Sequence, residues 1–307
     1  MTRRPPSGPG RPATTDDLYA IVALFHASDV RITDEPESMH EYLTWIWGMS
    51  YFDLGRDARL MPGGKGPDAF VQIVCDPEGG PLRLDWTVHP RLDLEPTASA
   101  LLDWAEGQRA ARGVADQLRT NAMSGDDAGR AFLERRGYTQ VRTSWDMTRN
   151  LTPDDRTVVP SAGVIVRTFR TGEESLLHRV ADTSFEDHWD HVPWTLESFT
   201  ESMLATPWEP GLTFFAEVDR RVAGELIALP FDDRGYIASV GVLGEFRGRG
   251  AATAMMRHAF AALAGRGLPR VELSVDAASP TGAVSLYEGL GMRAVRSYAT
   301  FDGPSAA

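Results

Sequence analysis

The segment Ser239-Val-Gly-Val-Leu-Gly-Glu-Phe-Arg-Gly-Arg-Gly-Ala-Ala252 decides the fold of this chain. Its β-branched residues predict a strand that ends at Val242, and the apolar periodicity behind Gly250 predicts a helix over 251–264. Gly248 and Gly250 can adopt positive φ and carry no Cβ, so backbone N–H groups of the turn can converge on a ligand oxygen. The first turn of the helix adds unpaired N–H groups and the positive end of its dipole. The segment therefore predicts a site for a diphosphate, and a plain glycine-rich turn before a helix is the competing interpretation.

A second motif lies downstream, where a strand predicted over 271–275 leads into residues 276–292. Together, the two motifs resemble the GNAT superfamily of acyl-CoA-dependent N-acyltransferases, and the resemblance covers residues 164–301. In that family a strand, an Arg/Gln-x-x-Gly-x-Gly/Ala turn and a helix bind the diphosphate of coenzyme A. Arg247, Gly250 and Ala252 occupy the matching positions. The resemblance implies acetyl-CoA as the cosubstrate and no metal.

The resemblance also assigns residues around the thioester. Tyr287 would donate to the leaving sulfur, and a half-buried aromatic residue on a helix over 281–290 is the competing interpretation. Ser279 stands where the family usually has an Asn that meets the pantetheine arm, but with Pro280 behind it Ser279 is also a candidate helix N-cap. The expected cofactor-binding residues are Val240, Gly241, Val242, Arg247, Gly248, Arg249, Gly250, Ala251, Ala252 and Ser279.

The chain repeats itself at an offset of 154 residues. This offset places Val88 on Val242, Gly113 on Gly267 and Gly137 on Gly291 without a gap, so the chain contains two copies of one domain. The copies differ at the glycine turn and at the tyrosine. In the first copy, two acidic residues replace the two arginines of the turn, a proline replaces its second glycine and a leucine replaces the tyrosine. The replacements in the first copy are Asp93, Glu95, Pro96 and Leu133. Two carboxylates repel a diphosphate, so the first copy is predicted to be inactive.

The predicted fold class is therefore α/β, with two tandem GNAT-like domains, each a twisted mixed β-sheet flanked by helices. We expect a disordered tail over 1–13, a degenerate domain over 14–150, a linker over 151–162 and a catalytic domain over 163–307. Tandem copies of this kind look most like the mycothiol synthase-like group of the superfamily. In that group a carboxylate near the start of the strand before the turn serves as general base, and Tyr236 stands there in this chain.

The general base must then be sought elsewhere. Glu225 can reach the cleft by strand alternation and activate the amine or a water, while Glu217, Asp232 and Asp233 are alternatives. The acceptor site is expected to be formed by the segment 185–194 and by Tyr236. In the family, the region of this segment lines the acceptor groove. The candidate residues are His188, Trp189, His191 and Tyr236. Packing of Trp189 and Trp194 between two helices is the alternative, and the histidine spacing matches no closed zinc site.

Composition limits the remaining classes. A formal charge of −12 argues against nucleic acid as a partner and is compatible with a cationic acceptor. Apolar runs are too short for a membrane span, and the N-terminal residues lack the apolar stretch of a signal peptide. Cys75 is the single cysteine, so no internal disulfide can form and a reducing cytoplasm is expected.

Two functions of different class remain open. The first is an acetyl-CoA-dependent N-acetyltransferase that acts on a primary amine of a small molecule, with a mycothiol-precursor-like amino sugar or an antibiotic amine as candidate acceptors. The second is a noncatalytic acyl-CoA-binding or regulatory protein. A chain that already contains two copies is expected to act as a monomer.

Overall fold

The computed structural model describes residues 9–34, 36, 39–114 and 116–305. The chain forms two compact units. The first comprises the described residues up to Ser144 and those from Arg296 onward, and the second is Trp145–Val295. Each unit is a mixed β-sheet flanked by helices, as the sequence predicts.

Before the strand that begins at Thr139, the described residues of the first unit form five helices and five strands in the order β-α-α-α-β-β-β-α-β-α. They are β1 (Arg11–Pro12), α1 (Leu18–Asp29), α2 (Met39–Trp47), α3 (Leu54–Asp57), β2 (Ala58–Gly63), β3 (Gly66–Val74), β4 (Leu82–Val88), α4 (Leu94–Arg112), β5 (Leu118–Met123) and α5 (Asp127–Arg135). The predicted tail over 1–13 is wrong at its end, because Arg11 and Pro12 pair with Leu60 and Arg59 of β2. Residues 1–8 lie outside the described residues.

The rest of the chain, as far as residue 305, supplies seven strands and four helices. They are β6 (Thr139–Asn150), β7 (Ile165–Thr168), α6 (Glu174–Ser184), α7 (Leu196–Leu204), β8 (Thr213–Val218), β9 (Arg221–Pro230), β10 (Gly235–Val242), α8 (Ala251–Gly265), β11 (Arg270–Asp276), α9 (Ala283–Gly289) and β12 (Arg293–Asp302). Strand order in the first unit is β1-β2-β3-β4-β5-β12, and in the second it is β6-β11-β10-β9-β8-β7.

The units divide the chain differently from the predicted domains. Strand β12 pairs antiparallel with β5, where Tyr298 lies opposite Met123 and Asp302 forms an ion pair of 2.6 Å with Arg119. Residues 145–150 at the end of β6 belong instead to the second unit, where β11 is the neighbouring strand. The predicted boundaries fail because a sheet is completed by hydrogen bonding between strands, which a linear repeat does not reveal.

The predicted linker over 151–162 is also structured. The N–H of Leu151 donates to the carbonyl of Pro269 at 2.8 Å, and Nε of Arg156 donates to the carbonyl of Ala264 at 3.2 Å. A 3₁₀ turn over Pro153–Arg156 stands between these contacts. Residues 151–156 of this segment therefore pack within the second unit.

The internal geometry of the two units supports the repeat. Gly113 and Gly267 have φ of 66° and 81°, and Gly137 and Gly291 have φ of 82° and 81°. Both pairs end helices at equivalent points, where an L-residue would be strained. An offset of 154 residues therefore relates turns of the same conformation.

The sheet of the second unit has a separate apolar core on each face. Leu226, Ala228 and Ile237 pack under α8, together with its Met255 and Phe260. The opposite face carries a cluster beneath α6 and α7, formed by Phe169, Leu177, Val180, Met203, Phe215, Ile227 and Leu229. Burial of each large side chain stabilises the fold by about 1.5–3 kcal/mol, so both faces of the strands are fixed.

Candidate active site

Strands β10 and β11 diverge and open a cleft in the second unit. They pair in parallel at Gly235 with Val271 and at Tyr236 with Glu272, where the ladder between them ends. Residues 237–242 of β10 and 273–276 of β11 then line opposite walls of a cleft of about 530 Å³. Backbone groups that a continuous parallel pair would use are therefore available to a ligand in the cleft.

The predicted glycine turn lies at the mouth of this cleft. Gly248 and Gly250 have φ of 76° and 82°, and Gly250 is the N-cap of α8. A Cβ built on either glycine meets no atom within 4 Å, so the backbone conformation, rather than crowding, explains the glycines. The first-turn N–H groups of α8, at Ala251 and Ala252, line the same space. This arrangement fits an anionic group of diphosphate size.

Both arginines of the turn are engaged with carboxylates. Arg247 donates to Asp187 at 2.8 Å and to the carbonyls of Ser184 and Val242 at 3.1 and 3.2 Å. Arg249 donates to Asp219 at 2.8 Å. The sequence predicts both arginines as cofactor-binding residues but does not indicate these partners, which lie 60 and 30 residues away. The backbone N–H groups therefore form the preorganised part of the anion site.

Replacing Asp187 by Asn is expected to tighten coenzyme A binding about two- to fivefold, because an ion pair between exposed groups contributes at most about 1 kcal/mol and a bound diphosphate competes for the same guanidinium. Titration calorimetry measures the change. Asp154→Asn makes the same charge change outside the cleft and serves as the control, with unchanged affinity expected. Equal affinities for the Asp187 and Asp154 variants would contradict competition for Arg247.

Glu225 is a fully buried carboxyl group next to the cleft wall. Ser239 Oγ donates to its Oε1 at 2.7 Å, and the backbone N–H of Gly241 hydrogen-bonds the same carboxyl group. Its second oxygen, Oε2, is buried and has no hydrogen-bond partner. A Cβ on Gly241 would lie 2.8 Å from Oε1 and 2.6 Å from Cβ of Ser184, so only glycine leaves room for the carboxyl group here.

Burial raises the pKa of Glu225 to about 7, and the hydrogen bonds from Ser239 and Gly241 limit the rise. A carboxyl group with this pKa is partly ionised at neutral pH and can both accept and release a proton. The other three base candidates are placed differently. Glu217 pairs with Arg167, Asp233 pairs with Arg234 and Arg270, and Asp232 is exposed between β9 and β10.

The raised pKa of Glu225 predicts a pH-dependent cost in stability. A raised carboxyl pKa favours folding below the ordinary value of 4.5, and this advantage is lost as pH rises through about 7. Between pH 5 and pH 8, Glu225→Gln should therefore gain about 2–3 kcal/mol in unfolding free energy relative to the unmodified protein. Chemical denaturation of both proteins at the two pH values measures it. A pH-independent difference would show that Glu225 is not a buried acid.

Tyr287 lies on α9 and lines the cleft with only 7% of its surface exposed. Burial, followed by the charge of Glu225, raises the pKa of its phenol to about 12. The hydroxyl group therefore stays protonated and remains a hydrogen-bond donor across the neutral range. The ring is also a member of the apolar core under α8, so the packing interpretation is confirmed, while donation to the leaving sulfur stays a prediction.

The prediction that Ser279 caps a helix is wrong. Helix α9 begins at Ala283, and its N-cap is Gly282 with φ of 75°. Ser279 lies in the preceding turn, where its hydroxyl is 2.9 Å from that of Thr281, and it lines the cleft. The glycine-capped start is favoured because Gly282 adopts the left-handed conformation without strain.

The structure separates the four predicted acceptor residues. His188 lines the cleft, and its ring contacts Trp189 with centroids 6.1 Å apart. His191 Nε2 is 3.3 Å from Asp182, on α6. Tyr236 packs on the α6 face of the sheet, where its ring lies 6.3 Å from that of Phe231. Among these four, His188 is therefore the residue that the structure places at the cleft.

In the first unit, the residues equivalent to the cleft wall and to the glycine turn are different. Trp86 takes the place of Val240 and contacts Phe132, with ring centroids 5.8 Å apart. Only residues 89–93 connect β4 to α4, whereas residues 243–250 connect β10 to α8. Glu95 therefore lies within the first turn of α4, and the glycine turn itself is missing from the first unit.

Metal-binding clusters and membrane-spanning helices are both absent from the part of the chain that the structure describes. Within them, no cluster of three or more His, Cys, Asp or Glu side chains could hold a metal ion. No helix in the described part of the chain is both long enough and apolar enough to cross a membrane.

Known proteins resemble this chain in sequence and in fold. The Acetyltransferase (GNAT) family matches residues 177–292. A mycothiol acetyltransferase of Thermomonospora curvata is 33% identical over 283 residues, which are 91% of this chain and 91% of that relative. A GCN5-related N-acetyltransferase from Sphaerobacter thermophilus has a TM-score of 0.80 at 27% identity and covers 96% of both chains.

A second solved structure shares the fold alone. A tandem GNAT protein from the clavulanic acid biosynthesis pathway is 16% identical, with a TM-score of 0.71 over 97% of this chain and 99% of that one. These similarities confirm the predicted fold class over nearly the whole chain.

Proposed function

Because the chain belongs to the GNAT family of N-acetyltransferases, we propose that its second unit transfers the acetyl group of acetyl-CoA directly to a primary amine of a small molecule. The first unit would take no part in the chemistry. The observation that carries this proposal is the cleft between β10 and β11, which brings the glycine turn, Tyr287 and the wall in front of Glu225 together.

The cleft fits the shape and charge of coenzyme A. Its diphosphate would accept hydrogen bonds from the turn over 248–250 and from Ala251 and Ala252 at the start of α8. The arm would lie between the diverged strands, where the backbone of Val240, Gly241 and Val242 can bind its amide groups and hold the thioester carbonyl. Ser279 would meet the arm from the opposite wall.

Amide formation needs a base, a donor for the carbonyl oxygen and an acid for the leaving group. Glu225 is the base in this proposal, since its pKa of about 7 matches proton transfer at neutral pH. Tyr287 donates its proton to the thiolate as the carbon–sulfur bond breaks. The bond between the amine nitrogen and the acetyl carbon forms in the same site, and the amide nitrogen gives up the proton that restores Tyr287.

The acceptor is proposed to approach beside the segment 185–191, with His188 at the cleft and Asp187 attracting a cation. The name of the Thermomonospora curvata relative makes a mycothiol-precursor-like amino sugar the first amine to test, and an antibiotic amine the second. Position 236, where the mycothiol synthase-like group has its base, is a tyrosine that packs on the α6 face, so Glu225 would take over that role here.

The test combines binding with turnover. Titration calorimetry should detect acetyl-CoA binding to the intact chain, and a thiol-release assay over an amine panel should detect acceptor-dependent turnover. Arg247→Glu should abolish binding by placing a negative charge beside the diphosphate, whereas Asp93→Asn in the first unit should leave it unchanged. Binding without turnover of any amine would favour a noncatalytic acyl-CoA-binding protein.

A further inference from the structure

We propose that Ser239 is a catalytic residue that relays the proton of the acceptor amine from the cleft to Glu225. This role rests on the proposed function. It explains how Glu225, which is shielded from the cleft, can take a proton from a substrate bound in the cleft. Three observations carry it: the burial of Glu225, the position of Ser239 and a bulge in β10.

Glu225 cannot meet an acceptor directly in this conformation. Its side chain is fully buried, and the cleft walls are formed in front of it by Ser184, Ser239 and Gly241. The gap between Ser184 and Gly241 is narrow, since a single Cβ placed on Gly241 would lie 2.6 Å from Ser184 Cβ. A substrate amine with its attached carbon needs more room than this.

Ser239 lies between the cleft and the buried carboxyl group of Glu225. It lines the cleft and is partly exposed, and its Oγ donates to Oε1 of Glu225 at 2.7 Å. Ser184 lines the same wall, but its hydroxyl donates to the carbonyl of Val180 at 2.6 Å, along α6. Of the two hydroxyl groups, Ser239 is therefore the one bonded to the carboxyl group.

A β-bulge places the hydroxyl group on this side of the sheet. Ile237 lies opposite Ala228 and Ser239 opposite Ile227, so Ala238 is an extra residue in β10. The bulge changes which side chains of β10 face α8. Odd-numbered Ile237 faces α8 before the bulge, and even-numbered Val240 and Val242 pack toward α8 after it. Without the extra residue, Ser239 would face α8 and could not reach Glu225.

The relay conserves atoms and charge. An acceptor ammonium gives one proton to Ser239 Oγ while Ser239 gives its own proton to Oε1 of Glu225. The free amine then attacks the thioester carbonyl carbon, the carbon–nitrogen bond forms and the carbon–sulfur bond breaks. Tyr287 protonates the thiolate and is reprotonated by the nitrogen, and Glu225 returns its proton to solvent in the cleft by the reverse transfer through Ser239.

The first test compares Ser239→Ala with Ser239→Thr, which keeps the hydroxyl group. Ser239→Ala should lower kcat about 100-fold with KM for acetyl-CoA changed less than about twofold, and Ser239→Thr should recover most of kcat. The double variant with Glu225→Gln should be no slower than the slower single variant, because the two residues act on one proton. Ser175→Ala, an exposed serine on α6, is the matched control with unchanged kcat expected.

A proton inventory in mixed H₂O and D₂O separates relay from positioning. The unmodified enzyme should give a curved plot, because two protons move together, and Ser239→Ala should give a linear plot or none. A linear plot for the unmodified enzyme, or full kcat in Ser239→Ala, would overturn the relay while the acetyltransferase proposal stands. If the intact protein and Ser175→Ala turn over no amine, the proposed function fails and the relay fails with it.

Discussion

Replacing Tyr287 by Phe is expected to lower kcat about 100- to 1000-fold while the dissociation constant of acetyl-CoA changes less than about twofold. The hydroxyl group is a donor at every pH in the neutral range, since burial and the charge of Glu225 raise the pKa of the phenol to about 12. A phenol of this pKa stabilises the sulfur only as negative charge develops, so the loss falls on the chemical step. The ring stays in its apolar core and keeps the cleft wall intact.

Steady-state kinetics and calorimetry on the same preparation measure the two quantities. Tyr19→Phe makes the identical change on an exposed tyrosine of the first unit and should leave both quantities unchanged. Equal losses in kcat and in affinity would assign Tyr287 to cofactor binding. Unchanged kcat would remove it from the reaction and leave it as a core residue.

The repeated fold could be predicted from the sequence because it depends on local patterns. Strand β10, helix α8 and strand β11 begin and end within a residue or two of the predicted bounds, since their apolar periodicity and glycine punctuation are strong. The sequence does not predict strand β2. Its sequence ends in Pro62 and Gly63, which are typical of a turn, and pairing with β3 overrides that preference.

The site was predicted in part, and the missed features depend on long-range contacts. The glycine turn and Tyr287 were found because each belongs to a motif with fixed spacing. Ser239 was not singled out, because one extra residue at Ala238 reverses the face of every later side chain in β10. Asp187 was likewise not expected at Arg247, because nothing local in the sequence indicates which carboxylate folds onto which arginine.

Fragments of the chain are expected to differ sharply in folding. A fragment over 163–307 follows the predicted catalytic domain, and it should be insoluble or unfolded. It lacks residues 145–150, which cover β11 and bury Met147 at 1% exposure in the core under α8. In addition, it carries β12, whose buried Phe301 packs in the core of the first unit. An uncovered strand edge and exposed apolar residues favour aggregation.

A fragment over 145–295 follows the second unit and should fold and bind acetyl-CoA within about threefold of the intact chain, because the residues that line the cleft all lie inside it. The matched comparison is 163–295, which differs from it only by residues 145–162. Within those residues, Thr148 Oγ1 donates a hydrogen bond to the carbonyl of Val271. Arg149 donates to the carbonyl of Leu290 at 2.9 Å, and its guanidinium carbon lies 4.9 Å from the centre of the Phe260 ring. Circular dichroism melts and calorimetry would compare the three fragments. Cooperative folding of 163–295 with full affinity would mean that the end of β6 is dispensable and that the sequence-based boundary was the better one.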